Sequence, residues 1–261
     1  MSKAARHLTP VTLELGGKSP CVVDATAKLD LAAKRLVFGK LLNCGQTCVA
    51  PDYLLIDGRV KDQFLSHVKK WMTAMYEQDP LDNQGYVRMI NRKHYDRVMG
   101  LIDPAKVVYG GRGDPDALKI QPTILDGVSP EDPVMQEEIF GPLLPVLTYD
   151  TLDRAVEFIN SRPHPLALYL FSEDRAAQER FLRQVPFGGG CVNDTIIHLA
   201  TSRMGFGGVG DSGMGSYHGK LSFDTFSHQK SVVKKSTWMD LPVRYAPYTA
   251  LQEKLLRLFL R

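Results

Sequence analysis

The chain has 261 residues, of which 44% are hydrophobic and 23% charged, and its 32 Lys+Arg against 29 Asp+Glu leave a net charge of +3. Such a mixture belongs to a globular protein of one large or two modest domains that can bury its own core, and it excludes collagen-like, coiled-coil and mainly disordered chains. The basic residues are scattered rather than striped, which excludes a nucleic-acid surface, and no apolar run approaches the roughly 18 residues of a membrane span.

The strand-like and helix-like patterns alternate. Pro20–Asp24 is a short apolar run closed by Asp. From Leu29, apolar residues return at 32, 33, 36, 37 and 41, the spacing of one helix face. Tyr53–Ile56 reads as a strand ended by Asp57-Gly58, and Val60, Phe64, Val68, Met72 and Met75 as the next helix stripe. Lys106–Tyr109, Thr123–Leu125 and Leu143–Leu147 are further strands. Leu152, Ala155, Val156 and Ile159 form a stripe behind a cap at Asp150 or Thr151. Ala167–Phe171 is a strand, and Ala177, Phe181 and Val185 are spaced as a helix face. This alternation predicts an α/β fold with a mostly parallel sheet flanked by helices. Beyond it, Gln229–Lys235 reads as a short strand. Leu251, Leu255, Leu258 and Phe259 make a terminal amphipathic helix for docking on protein, with membrane contact through Lys254, Arg257 and Arg261 as the lesser expectation.

Four cysteines (Cys21, Cys44, Cys48, Cys191) build neither a disulfide framework nor a paired zinc site, and Met1–His7 lacks the apolar stretch of a secretory signal. A reducing, cytoplasmic setting without a bound metal is the expectation. Glycines crowd 186–217. Gly208-Val-Gly-Asp-Ser-Gly213 matches G-x-G-x-x-G, but the dinucleotide fingerprint requires a strand before it and a helix opening at its end, and neither pattern is present here.

Two elements carry chemistry. Asn43-Cys44-Gly45-Gln46-Thr47-Cys48 follows the helix at 29–41 and places Cys48 where a helical run gives way to a loop. Half-exposed thiols in such places can be nucleophiles, although free cysteine also packs well in cores, and the placement alone allows both. In Leu13-Glu14-Leu15-Gly16-Gly17-Lys18 a carboxylate flanked by leucines precedes a Gly-Gly turn; it suits a general base if buried and an ordinary edge residue if not.

Together, Glu14-Leu15-Gly16-Gly17-Lys18 and Gly45-Gln46-Thr47-Cys48, 34 residues apart from Glu14 to Cys48, resemble the aldehyde dehydrogenase superfamily. Met135-Gln-Glu-Glu138-Ile-Phe140-Gly-Pro142, Gly189-Gly190-Cys191-Val192-Asn193-Asp194 and Phe206-Gly-Gly208 with Ser212-Gly213 agree in family order. Pro165–Phe171 and His218–Ser227 are most similar to its class 3, fatty-aldehyde branch. The resemblance implies the catalytic domain of that fold over 15–228, a remnant of the nucleotide-binding domain over 1–14, an oligomerisation strand at 229–235 and a tail helix within 236–261. It also implies NAD(P)-dependent oxidation of an aldehyde to an acid. Cys48 would be the nucleophile forming a thiohemiacetal and then a thioester, with its own backbone N–H as an oxyanion donor. Glu14 would be the base activating water, Glu138 the holder of the nicotinamide ribose, and Phe140 the aromatic beside the nicotinamide. Asn193 is given a structural role, Cys44 a packing role, and a homodimer is the implied assembly.

Nearly all of the family's nucleotide-binding domain, including the asparagine that completes its oxyanion hole, has no counterpart here. The chain is therefore expected to be a truncated portion, inactive or nearly so alone, with a mobile, unpaired N-terminal edge up to about Gly17 and a tendency to self-associate. A cofactor-independent thiol esterase and a non-catalytic remnant pairing with full-length subunits through 229–261 are the alternatives.

Overall fold

A computed structural model describes residues 1–259. Its elements, in chain order, are α1 (Ser2–Ala5), β1 (Leu13–Glu14), β2 (Pro20–Val23), α2 (Leu29–Leu41), β3 (Tyr53–Asp57), α3 (Lys61–Tyr76), α4 (Arg92–Met99), β4 (Val107–Tyr109), β5 (Gly113–Asp114), β6 (Lys119–Ile120), β7 (Thr123–Leu125), β8 (Leu143–Tyr149), α5 (Leu152–Asn160), β9 (Ala167–Phe171), α6 (Arg175–Gln184), β10 (Gly189–Val192), β11 (Gly213–Met214), α7 (Gly219–Thr225) and α8 (Ala250–Phe259). The chain divides into two units, Met1–Phe226 and Ser227–Arg261.

Seven strands form the central sheet in the order β10-β9-β2-β3-β8-β7-β4. Every neighbouring pair is parallel except β4 with β7. Successive side chains of a strand face opposite ways, and both faces are covered. Leu54 and Ile56 of β3 pack with Leu36, Val37, Phe64 and Val68 from α2 and α3. Tyr53 and Leu55 pack on the other face with Tyr95, Ala155, Ile159 and Phe181 from α4, α5 and α6. Burial on both faces explains why Tyr53–Ile56 of β3 and all of β9 are continuous apolar runs rather than alternating. Thr151 caps α5 by accepting from the Arg154 N–H, and α6 stops one residue before Val185, the last member of its stripe.

One expectation is corrected. The N-terminal edge is not unpaired: β1 forms an antiparallel ladder with β11, Leu13 opposite Met214 and Glu14 opposite Gly213, and the Leu15 N–H donates to Ser212 O at 3.1 Å. The glycine-rich segment therefore supplies the partner that the expectation lacked. Segment 229–235 is irregular in the single chain, because a strand needs a partner to take up its N–H and C=O groups. In the C-terminal unit α8 forms where the apolar spacing places it; Arg261 lies outside the described residues. Among the described residues no helix is long and apolar enough to cross a membrane.

The sheet positions the site through its loops. Residues 14–18, 44–52, 138–142 and 163–166 all lie just before parallel strands, namely β2, β3, β8 and β9, which are side by side. Parallel strands present the same end together, so four segments distant in sequence meet at the N-terminal edge of one sheet.

Candidate active site

Cys48 stands in the turn between α2 and β3, and the backbone there is unusual. Asn43, Cys44 and Gly45 all have positive φ, at 51°, 58° and 73°. A Cβ at Gly45 would run into Gly141 O and, at 3.1 Å, Lys40 O, so only glycine lets the turn pack under the 138–142 segment. Gln46 fastens the turn outward: its Nε2 donates to Asn43 O and Arg88 O, both at 3.1 Å, and its Oε1 accepts from the Ile90 N–H at 3.0 Å. Cys44 is buried, with its thiol 3.4 Å from the Tyr86 hydroxyl, and burial lifts it to about 11.

Cys48, Glu14 and Phe140 line one largely apolar cavity of about 670 Å³, walled by Phe38 of α2, by Leu42 just after it and by Ile196, Ile197 and Leu199. Glu14 reaches it because the β1–β11 pairing folds the N-terminal segment across the opening. Phe140 is held at φ 50° and left 39% exposed at the cavity wall. The Cys48 thiol is half-buried and pushed up to about 12 by burial, then by the Glu14 carboxylate beside it and the charge of Glu138; its own N–H partly offsets this. Tyr217 belongs to the same group, its hydroxyl raised by burial and by Glu14 and Cys48.

Glu138 is not on that cavity wall. Its carboxylate lies against Gly16, where a Cβ would collide with it, takes the Gly17 N–H, and borders a smaller cavity of about 150 Å³ with Lys18 and Arg162. Burial and Asp52 raise Glu138 to about 7, against the opposing pull of the Gly17 amide and Lys18. Asn193 is spent elsewhere: at the far end of β10 its amide pairs with Ser172, accepting from the Ser172 N–H and donating to Ser172 O, both at 2.9 Å. The Gly208–Gly213 run passes through a 3-10 turn into β11 and opens no helix. Among the described residues no group of three metal-ligating side chains is assembled.

Sequence reasoning missed Tyr217, Asp52 and Lys40. Lys40 sits in the last turn of α2, fully buried, and among the described residues no hydrogen-bond partner reaches its Nζ. Burial pulls it down to about 8, against the attraction of Asp52. Its only sequence signal is a lysine on an otherwise apolar helix face.

Two outcomes follow from these charges. Below pH 8 Lys40 is charged in both folded and unfolded chains, and the full burial penalty is present. Between about 8 and 10.5 the unfolded chain binds the extra proton, so stability rises with pH, and above that range the penalty is gone. Lys40→Met is therefore expected to stabilise the chain at pH 7 by on the order of 3 kcal/mol and to give no gain above about pH 10.5, as read by urea unfolding; an unchanged or lower midpoint at pH 7 would refute this. For Cys48, alkylation by iodoacetamide is expected to climb through the alkaline range without levelling near pH 9. Glu14→Gln removes a repelling carboxylate and is expected to move the curve down by about one pH unit, with Cys48 identified by peptide mapping.

The comparisons with known proteins agree. The aldehyde dehydrogenase family pattern matches residues 1–232. A 4,4'-diaponeurosporen-aldehyde dehydrogenase of Staphylococcus aureus is 51% identical over 247 residues, which are 94% of this chain and 54% of that protein. The rat "Aldehyde dehydrogenase, dimeric NADP-preferring" is 50% identical over 90% of this chain and 52% of its own. The substrate-bound structure of Staphylococcus aureus AldH superposes with a TM-score of 0.96 at 48% identity, covering all of this chain and 57% of that one. The chain thus spans about half the length of the relatives it matches. In sequence and in fold, it belongs to the aldehyde dehydrogenase family.

Proposed function

We propose that this chain carries the covalent half of NAD(P)-dependent aldehyde oxidation, with Cys48 as nucleophile and Glu14 as general base. The observation that carries this reading is that the two groups meet on one apolar cavity: an apolar wall suits an aliphatic or aromatic aldehyde, and the polar pair stands where its carbonyl would enter. Cys48 Sγ attacks the carbonyl carbon, and Glu14 takes the thiol proton that burial keeps on the sulfur. The Cys48 N–H, turned toward its own sulfur, donates to the oxyanion of the thiohemiacetal. NAD or NADP, when bound, supplies the hydride acceptor that turns the thiohemiacetal into a thioester. Glu138 and Phe140 fit such a group, offering a carboxylate for ribose hydroxyls and an exposed aromatic face for the nicotinamide. Glu14, its first proton passed on to solvent, then takes a proton from water, whose oxygen attacks the thioester carbonyl and releases the acid and the Cys48 sulfur.

Relatives named NADP-preferring and an indole-3-acetaldehyde dehydrogenase structure complexed with NAD+ (30% identical, TM-score 0.79) support the cofactor class. The rat relative is named dimeric, and we take a homodimer, with 229–235 as its shared strand, as the assembly, in a cytoplasmic setting.

The thioester stage is testable without cofactor. An activated aryl ester should acylate Cys48, detected as a mass increase on its peptide, and Glu14→Gln should lengthen the life of the acyl group about a hundredfold. Acyl groups on another residue, or decay indifferent to Glu14, would sink the assignment. Rapid multiple turnover of the ester would favour the thiol esterase instead.

A further inference from the structure

Glu138 is carried on a segment with little structure of its own, between a 3-10 turn at Pro133–Met135 and β8. Side chains hold it. Lys18 Nζ donates to Val134 O and Glu137 O, both at 2.9 Å, and to the Asp52 carboxylate. Asp52, buried just before β3, accepts the Ile139 N–H at 3.0 Å through its other oxygen. One ion pair therefore grips the segment on both sides of Glu138. Lys18 is also two residues from Gly16, against which the Glu138 carboxylate lies. A buried ion pair is a poor source of stability, since apolar residues of the same volume usually serve as well. What apolar residues would not supply is a fixed backbone at 134–139.

We propose that the Lys18–Asp52 pair is a positioning device that holds the Glu138 carboxylate against Gly16, within the field of Cys48. This rests on reading Glu138 as part of the Cys48 site. The charged groups facing Glu138 are Asp52, Lys18, Glu14, Arg162 on the small cavity and, from α2, Lys40.

The test uses the 261-residue chain and two readouts, amide exchange by mass spectrometry and the pH profile of Cys48 alkylation. Lys18→Met should speed exchange over 134–139 about tenfold or more while Tyr53–Asp57 stays protected. It should also move the Cys48 profile to lower pH, toward that of Glu138→Gln, because the carboxylate is no longer held near the thiol. Lys18→Arg, which keeps charge and donors, should restore both. Should Lys18→Met fail to fold because Asp52 is left unpaired, Lys18→Met/Asp52→Asn removes both charges and should show the same loosening. Unchanged exchange, exchange equally fast in Tyr53–Asp57, or a wild-type Cys48 profile beside a loosened segment would overturn the proposal. If Glu138→Gln itself leaves the Cys48 profile in place, the reading of Glu138 in the site fails, and the exchange result alone decides the clamp.

Discussion

Cys48→Ala is expected to abolish acyl transfer from aryl esters, by on the order of 10⁴-fold or more, the scale on which a covalent nucleophile is missed. The size follows from the cavity: of the four cysteines only Cys48 lines it, beside Glu14. Cys21 and Cys44 are buried in the two cores, and Cys191 is paired at 3.6 Å with His198. Cys191→Ala is the matched control and should retain acyl transfer. Residual acylation of the Cys48→Ala chain at another cysteine, at a comparable rate, would show that the nucleophile was misassigned. Loss of acyl transfer with an unchanged urea midpoint is the supporting result.

A polypeptide of these 261 residues and nothing more is expected to reduce nicotinamide with an aldehyde at less than about a thousandth of the rate of a full-length relative assayed beside it. Two deficits add. The Cys48 N–H is the oxyanion donor assigned among the described residues, and lacking a second donor costs about a hundredfold to a thousandfold. Glu138 and Phe140 would grip the nicotinamide from one side only, so a further part of the rate that comes from holding two reactants in register is lost. Acylation of Cys48 by an aryl ester needs neither and should persist. A family-like rate of nicotinamide reduction from the 261 residues alone would overturn this, and would mean that the described residues hold the cofactor unaided.

Much of this was legible in the sequence. The apolar stripes at 29–41 and 152–159 and the continuous apolar runs at 53–56 and 167–171 determined the elements, since burial of one helix face or of both strand faces writes itself into residue order. Five short motifs in order determined the family and nominated Cys48, Glu14, Glu138 and Phe140. Spacing along the chain could not say that Glu14 would reach Cys48, because that depends on β1 finding β11 some 200 residues later (Glu14 opposite Gly213). Nor could it say that Glu138 would stand behind the cavity rather than on its wall, or that Lys18 and Asp52 would hold it there. Those outcomes belong to the tertiary structure, where adjacent parallel strands bring the loops at 14–18, 44–52 and 138–142 to one edge. Local pattern is set by each residue's own environment, whereas the charges on Cys48, Glu138 and Lys40 are set by neighbours that only folding supplies.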